Sequence, residues 1–218
     1  MPIRRTNRQN QIKWLKDRQN LKILDLGCSN VKYWPEANHF ADIHDFKKDF
    51  KDLNLNFTQI KPDEKLPFKD KEFDYIICAH VIEHVNDPIS FKSEIQRVGK
   101  AGYIELPTRL NDNMVFGCDE EEFGHKWWFE FDDDNQKLVF AKKINALEKF
   151  VSVGSVFSLT KIFEDSFIIQ CHWSDDISME KKESYKLEKK ITFLSLVKKY
   201  FSKKIRVQIS KIKFFFNL

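Results

Sequence analysis

The chain has 218 residues, 42% of them hydrophobic and 14% aromatic, which is enough for one packed domain and too little for two of ordinary size. With 21 Phe against six Gly and six Pro, the composition excludes a disordered or linker-rich protein. The net charge of +4 is unevenly placed: residues 181–218 hold 12 Lys and Arg against two Glu, so the body that precedes them is acidic, at −6.

Residues 9–19 can form a short amphipathic helix with Ile12 and Leu15 or Trp14 facing inward. Leu21 to Leu26 reads as a buried strand that stops at Gly27, and Phe40 to Ile43 as a second. Phe73 to Ala79 is a third, whose unbroken apolar run suits a parallel sheet covered on both faces. Asn86-Asp87-Pro88 starts a helix, since Asp87 can cap it and Pro88 suits the first helical position. That helix should run to about Val98 and bury Phe91, Ile95 and Val98. Gly99 and Gly102 are expected to end it before a fourth strand, Tyr103 to Leu106, closed by Pro107. Strand, helix and strand in this rhythm predict an α/β fold with a doubly wound, mostly parallel sheet.

Beyond Pro107 the pattern changes. Trp127 to Phe131 and Lys137 to Lys142 flank Asp132-Asp133-Asp134-Asn135 and predict a β-hairpin, an insertion after the fourth core strand over about residues 117–143. Residues 144–151 look helical, and Ser166 to Trp173 reads as a late strand. A boundary is expected at 176, with 177–218 forming a basic, amphipathic, helical tail. In that tail Phe193, Leu194, Val197 and Phe201 interleave with lysines. Such a segment suits an anionic membrane surface or another subunit. Nucleic acid is disfavoured because no aromatic motif of an RNA-binding fold accompanies it.

No apolar stretch follows the basic N-terminus and no run of 18 apolar residues occurs, so neither an export signal nor a membrane span is expected. Cys28, Cys78, Cys118 and Cys171 include no C-x-x-C pair, which argues against a disulfide framework or structural zinc. The expected setting is the cytoplasm, with peripheral membrane contact through the tail.

The chemistry gathers at strand ends. Ile23 to Asn30 (ILDLGCSN) places Gly27 where a first strand turns into a loop, and a residue without Cβ lets the backbone come close to a ligand. Asp42 ends the second strand, where an acid accepts hydrogen bonds from ribose hydroxyls in nucleotide-binding α/β folds. Ligands of such sheets lie at the carboxyl ends of the strands, here Gly27–Asn30, Asp42–Ile43 and Ala79–Val81.

ILDLGCSN resembles the first motif of class I methyltransferases, and Leu66 to Pro88 (LPFKDKEFDYIICAHVIEHVNDP) closely resembles the signature of the methyltransferase type 11 domain. The resemblance covers about residues 20–110 and continues more weakly to about 143. It implies a Rossmann-like core and S-adenosylmethionine as cofactor. On this resemblance Gly27, with Cys28 and Ser29 beside it, would lie against the methionine part, and Asp42 with Ile43 against the ribose. Asp63 would flank the adenine, Ala79 and His80 would line the methyl-donor end, and Asp25 would hold the loop or contact the amino group. The chain departs from the pattern in three places. Cys28, Ser29, Asn30 and Val31 replace the usual further glycines. Pro62 stands where the adenine-contacting acid is expected, with Asp63 one residue displaced. Trp34-Pro35-Glu36 leaves little helix between the first two strands. The alternative reading is a non-catalytic binding protein that keeps the fold with a degraded cofactor loop.

His80, Glu83 and His84 spell H-x-x-E-H, and helical spacing would set both histidines on one face, as a metal needs. The triplet follows a buried strand directly, and the same letters occur in type 11 domains without any metal. Glu83 and His84 are therefore read as packing or hydrogen-bonding residues, and no metal ligand is expected. His125, ahead of the hairpin, is the better candidate to touch the substrate as a proton acceptor, with His84 second. Trp127 and Trp128 should point to opposite faces, one into the core and the other forming an acceptor wall. The acidic runs Asp119–Glu122 and Asp132–Asp134 read as solvated. The expected reaction is methyl transfer to a small-molecule acceptor, a hydroxyl or amine of a saccharide or lipid-linked intermediate.

Overall fold

The structure is a computed structural model that describes residues 3–29, 33–114, 124–143 and 164–183, together with Leu194, Val197 and Phe201 in the tail. Its first elements are a short strand β1 (Arg4–Arg5) and helix α1 (Arg8–Lys16). Asn7 caps α1 by accepting from the Asn10 amide at 2.8 Å. Leu15 is buried, with Ile12 and Trp14 half-buried beside it, as the spacing predicts.

Five strands run parallel: β2 (Ile23–Leu26), β3 (His39–Asp42), β4 (Asn56–Gln59), β5 (Phe73–Ala79) and β6 (Gly99–Pro107). Helix α2 (Lys47–Asp52) links β3 to β4, and α3 (Pro88–Val98) links β5 to β6. A late strand, β9 (Ile168–Ser174), adds antiparallel to β6, and β1 adds antiparallel to β9. The sheet order is β1-β9-β6-β5-β2-β3-β4. It grows outward from β2 through β3 and β4, then resumes on the other side of β2 with β5 and β6. The winding therefore reverses between β2 and β5.

Alternation along the strands divides the core. Leu24, Leu26, Ile76, Cys78 and Ile104 face α3 and meet its Ile95 and Val98. Ile23, Tyr75, Ile77 and Tyr103 face the opposite layer and meet Leu15, Trp34 and Phe50. Asp87 caps α3 by accepting from the Ile89 and Ser90 amides, as the Asn-Asp-Pro sequence predicts.

Several expectations shift. Strand β4 was not foreseen: Asn-Phe-Thr-Gln is an edge strand of exposed and half-buried residues with no apolar run to betray it. The insertion consequently follows the fifth parallel strand, not the fourth. Gly99 and Gly102 do not separate helix from strand. β6 starts at Gly99 directly after α3, and Gly102 lies within it. A Cβ on Gly102 would stand 2.3 Å from the Ile76 carbonyl oxygen and 2.7 Å from Trp173 Nε1, so close packing demands that glycine. The late strand begins at Ile168, because residues 164–167 form a short helix, α5 (Glu164–Phe167).

After β6 come α4 (Arg109–Met114) and the foreseen hairpin of β7 (Trp127–Asp132) and β8 (Lys137–Lys142), in register from Trp127 opposite Lys142 to Asp132 opposite Lys137. A third strand, β10 (Met179–Lys181), pairs parallel with β8. This strand and the fully buried Ile177 lie beyond the expected boundary at 176, so the body extends to about residue 183. The helix expected at 144–151, the acidic run Asp119–Glu122 and most of the tail lie outside the described residues. Among the described residues no helix is long and apolar enough to cross a membrane.

Candidate functional site

Where the winding reverses, the carboxyl ends of β2, β3 and β5 leave a cleft of about 450 Å³. Its floor is Gly27, Ser29 and Val81, and its apolar walls are Ile43, Ile60, Leu66, Val85 and Phe91. Gly27 adopts φ +86°, and a Cβ there would stand 2.2 Å from Val81 Cγ2. Its amide donates to the Ala41 carbonyl at 2.7 Å, which ties the loop after β2 to β3. Asp42 lines the cleft from the end of β3. Its Oδ1 accepts from the His44 amide at 2.8 Å and meets His44 Nδ1 at 2.9 Å. Its Oδ2 accepts nothing among the described residues.

Beneath and beside this cleft is a set of partly desolvated charges. The His80 backbone is left-handed, with φ +55°, and its amide donates to the Glu105 carbonyl at 2.9 Å. The His80 ring has Nε2 3.1 Å from Glu105 Oε1 and Nδ1 3.4 Å from Glu83 Oε1. Burial opposes charge on this imidazole, but the two carboxylates outweigh it and raise its pKa to about 10. Glu105 also accepts from the Tyr103 hydroxyl at 2.5 Å and has Arg8 3.7 Å away. Asp25, buried on the α1 side of the sheet, is raised to about 7, chiefly by burial, with Arg8 working against that and Asp42 adding to it.

Glu83 is fully buried, and neither carboxylate oxygen accepts a hydrogen bond among the described residues. Burial pushes its pKa up, and His80, His125 and His84 around it outweigh that and hold it below the usual carboxylate range. The His84 ring lies edge-on to the His125 ring, 4.6 Å between centroids. His125 sits just before β7. Its Nδ1 is 2.6 Å from Oδ1 of Asp112, a buried residue of α4, and its Nε2 is 3.9 Å from Glu83 Oε1.

A left-handed glycine at the end of the first parallel strand, and at the end of the next an acid with one oxygen that accepts nothing among the described residues, is the geometry of a nucleoside-binding α/β site. Residues 21–104 match the family whose model describes a methyltransferase domain. Residues 21–104 form a methyltransferase domain. An uncharacterized protein of Methanocaldococcus jannaschii is 26% identical to it over 174 residues, 70% of this chain and 71% of that protein. The tRNA U34 carboxymethyltransferase of Nautilia profundicola is 34% identical over 131 residues, 50% of this chain and 41% of its own length. The chain thus spans less than half of that relative. The crystal structure of a SAM-dependent methyltransferase from Aquifex aeolicus is 15% identical at a TM-score of 0.41, covering 75% of this chain and 87% of that one.

The methyl donor of such a domain is S-adenosylmethionine, and the residues of the cleft fit it. Gly27 and Ser29 leave the floor open, Asp42 Oδ2 awaits a hydroxyl donor, and the apolar walls match a purine. The methyltransferase domain brings Gly27, Ser29, Asp42, Ile43, Asp63 and His80 to the cleft, all foreseen from the sequence. Three others are not among its lining. Asp25 points to the α1 side of β2. Cys28 packs into the core with Trp34 and Phe40, and its amide is directed at the Ala41 carbonyl. Ala79 ends β5, and the left-handed turn at His80 presents His80 and Val81 in its place.

Asp63 reaches the rim, yet both its oxygens accept from Asn86, from the amide at 2.8 Å and the side-chain nitrogen at 2.5 Å, so it braces a loop instead of offering a free acceptor. His84 lines the cleft and His125 stands behind it, the reverse of the order expected. Residues 82–84 form a single turn and His80 is left-handed, so His80 and His84 do not share a helical face. Of the two tryptophans, one of which was expected in the core, Trp128 is the buried one. Trp127 donates its indole N–H to the Val85 carbonyl at 2.9 Å and packs on Phe140, so it forms no acceptor wall. The apolar walls at Ile60, Leu66, Val85 and Phe91 went unforeseen. Phe91 did carry a signal, its place on the inward stripe of α3, but that stripe reads equally as core.

Proposed function

We propose that this protein moves the methyl group of S-adenosylmethionine to an oxygen or nitrogen of a small-molecule acceptor, a hydroxyl or amine of a saccharide or lipid-linked intermediate. The observation that carries the reading is the cleft at the reversal of the sheet, which Gly27, Asp42 and His84 all line. When bound, S-adenosylmethionine supplies a methyl already activated by a sulfonium, so the acceptor lone pair forms the new bond as the carbon–sulfur bond breaks. The protein then has mainly to align the partners and exclude water. Gly27 permits close approach, Asp42 holds the ribose hydroxyls, and Ile43, Ile60, Leu66 and Phe91 keep one end dry. The proton of a hydroxyl acceptor is handled at the wall formed by His84, with Glu83 and His125 behind it.

The name of one curated relative concerns tRNA. The first 180 residues here carry a net −6, which opposes a polyanionic acceptor at the cleft and supports a small molecule. Buried free thiols at Cys28, Cys78 and Cys171 support a reducing, cytoplasmic setting. Exposed Leu194 and Phe201 among the tail's lysines support contact with an anionic membrane surface or a second subunit.

Incubating the full chain with methyl-labelled S-adenosylmethionine and a panel of sugars, nucleotide sugars, lipid-linked sugars, amines and tRNA tests this reading. Label in a small-molecule fraction, reduced by His84→Ala, is the expected result. Label on tRNA alone, or none in the presence of tightly bound cofactor, would contradict it.

A further inference from the structure

We propose that Glu83, His84 and His125 form a binding site for a divalent transition-metal ion, Zn²⁺ foremost, at the wall of the cleft. Each residue offers one ligand atom, and the three atoms lie within 4.8 Å of one another. The Glu83 carboxylate is fully buried and accepts no hydrogen bond among the described residues. Its lone pairs, which no hydrogen bond engages, are in the condition in which a buried carboxylate coordinates a metal. On one side His80 supplies a charge, 3.4 Å from Oε1, but its two ring nitrogens face Glu105 and Glu83 and leave it no ligand atom to offer.

On the other side the arrangement at His125 is that of a supported ligand. Its Nδ1 is held by Asp112 at 2.6 Å, and with the N–H proton placed there Nε2 keeps its lone pair for a metal, 3.9 Å from Glu83 Oε1. Two backbone-anchored contacts fix the joint. The Lys126 amide donates to the Glu83 carbonyl at 2.7 Å and the Trp127 indole donates to the Val85 carbonyl at 2.9 Å. The ligands thus come from the turn after β5 and from the entry to β7, and Asp112 comes from α4.

Two imidazoles and one carboxylate suit Zn²⁺ and its first-row neighbours, whereas Mg²⁺ and Ca²⁺ prefer oxygen donors. Metal bonds of about 2.1 Å place tetrahedral ligand atoms roughly 3.4 Å apart, so the 3.9 Å gap between Glu83 and His125 closes by about half an ångström. Three protein ligands leave a further position, and His84 opens the site to the cleft. This deepens the methyl-transfer reading and rests on it in one respect: an acceptor hydroxyl bound to the ion releases its proton to solvent more readily, and its oxygen then forms the bond to the methyl carbon as the carbon–sulfur bond breaks.

The test uses the full chain without an affinity tag, stripped with chelator and dialysed. It is titrated with Zn²⁺ by calorimetry and with Co²⁺ by visible absorption, and S-adenosylhomocysteine is titrated in parallel. One equivalent of Zn²⁺ should bind, weakened roughly a hundredfold or more by Glu83→Gln and by His125→Ala and unchanged by His172→Gln, at a histidine on the far side of the sheet. Bound Co²⁺ should give the intense bands of a four- or five-coordinate ion. Should the variants fail to fold, the wild-type cobalt spectrum decides: a spectrum of the fully hydrated ion overturns the site. Wild-type protein that binds S-adenosylhomocysteine and no Zn²⁺ overturns the metal site alone. Zn²⁺ binding without S-adenosylhomocysteine binding supports the site and overturns the methyl-transfer reading.

Discussion

Gly27 does two things at one position. Its φ of +86° is strained for any other residue, and Val81 fills the space a side chain would need. Gly27→Ala should destabilise the fold by about 1–3 kcal/mol and weaken S-adenosylhomocysteine binding at least tenfold, which calorimetry on the folded variant would measure. Unchanged affinity would mean the loop does not touch the cofactor. Asp25 governs a pH effect. Its folded pKa is raised from 3.8 to about 7, so between those values the folded chain holds a proton that the unfolded chain has released. Stability from this group therefore falls as pH rises through that window and levels off above it. Asp25→Asn should remove the decline, so urea unfolding from pH 4.5 to 7.5 should show the variant gaining on the wild type. Parallel profiles would contradict the assignment. Gly27 and Asp42 were legible because a strand end, a glycine and a spaced acid constrain one another. Cys28 was not, because one residue of loop geometry decides whether a side chain enters the cleft or the core behind it.

At the level of elements, the loop between β4 and β5 depends on one side chain of α3. The Arg97 guanidinium donates to the Leu66 and Phe68 carbonyls at 2.9 and 2.8 Å, and to Glu94 and Asp70. Leu66 is a wall of the cleft, so α3 carries the shape of the site as well as its own layer of the core. Arg97→Met should cost about 2–3 kcal/mol in urea unfolding and also raise the dissociation constant for S-adenosylhomocysteine. Arg97→Lys should recover little of either, since one ammonium cannot reproduce the fork. Full rescue by lysine would reduce the clamp to a simple charge effect. The limits of α3 were readable from Asp87, Pro88 and the apolar spacing. β4 was hidden because an edge strand need not be apolar, and Gly99 and Gly102 misled because close packing and chain breaking call for the same residue.

Across the whole molecule, the doubly wound sheet followed from the buried runs at Ile23–Leu26 and Phe73–Ala79 with a capped helix between the latter and β6. What could not be read was contact between distant segments. His84 and His125 are 41 positions apart, and only the docking of β7 against the turn after β5 brings them together. For the same reason β10 was read as tail, since its pairing with β8 spans some forty residues. The account as a whole depends on the cleft holding S-adenosylmethionine through Asp42. Calorimetric titration of S-adenosylmethionine and S-adenosylhomocysteine into the wild-type chain and into Asp42→Ala tests it most directly. Micromolar binding, weakened tenfold or more by the substitution, about 1.4 kcal/mol, is the predicted result. No binding at millimolar cofactor, or equal binding by both proteins, would contradict it.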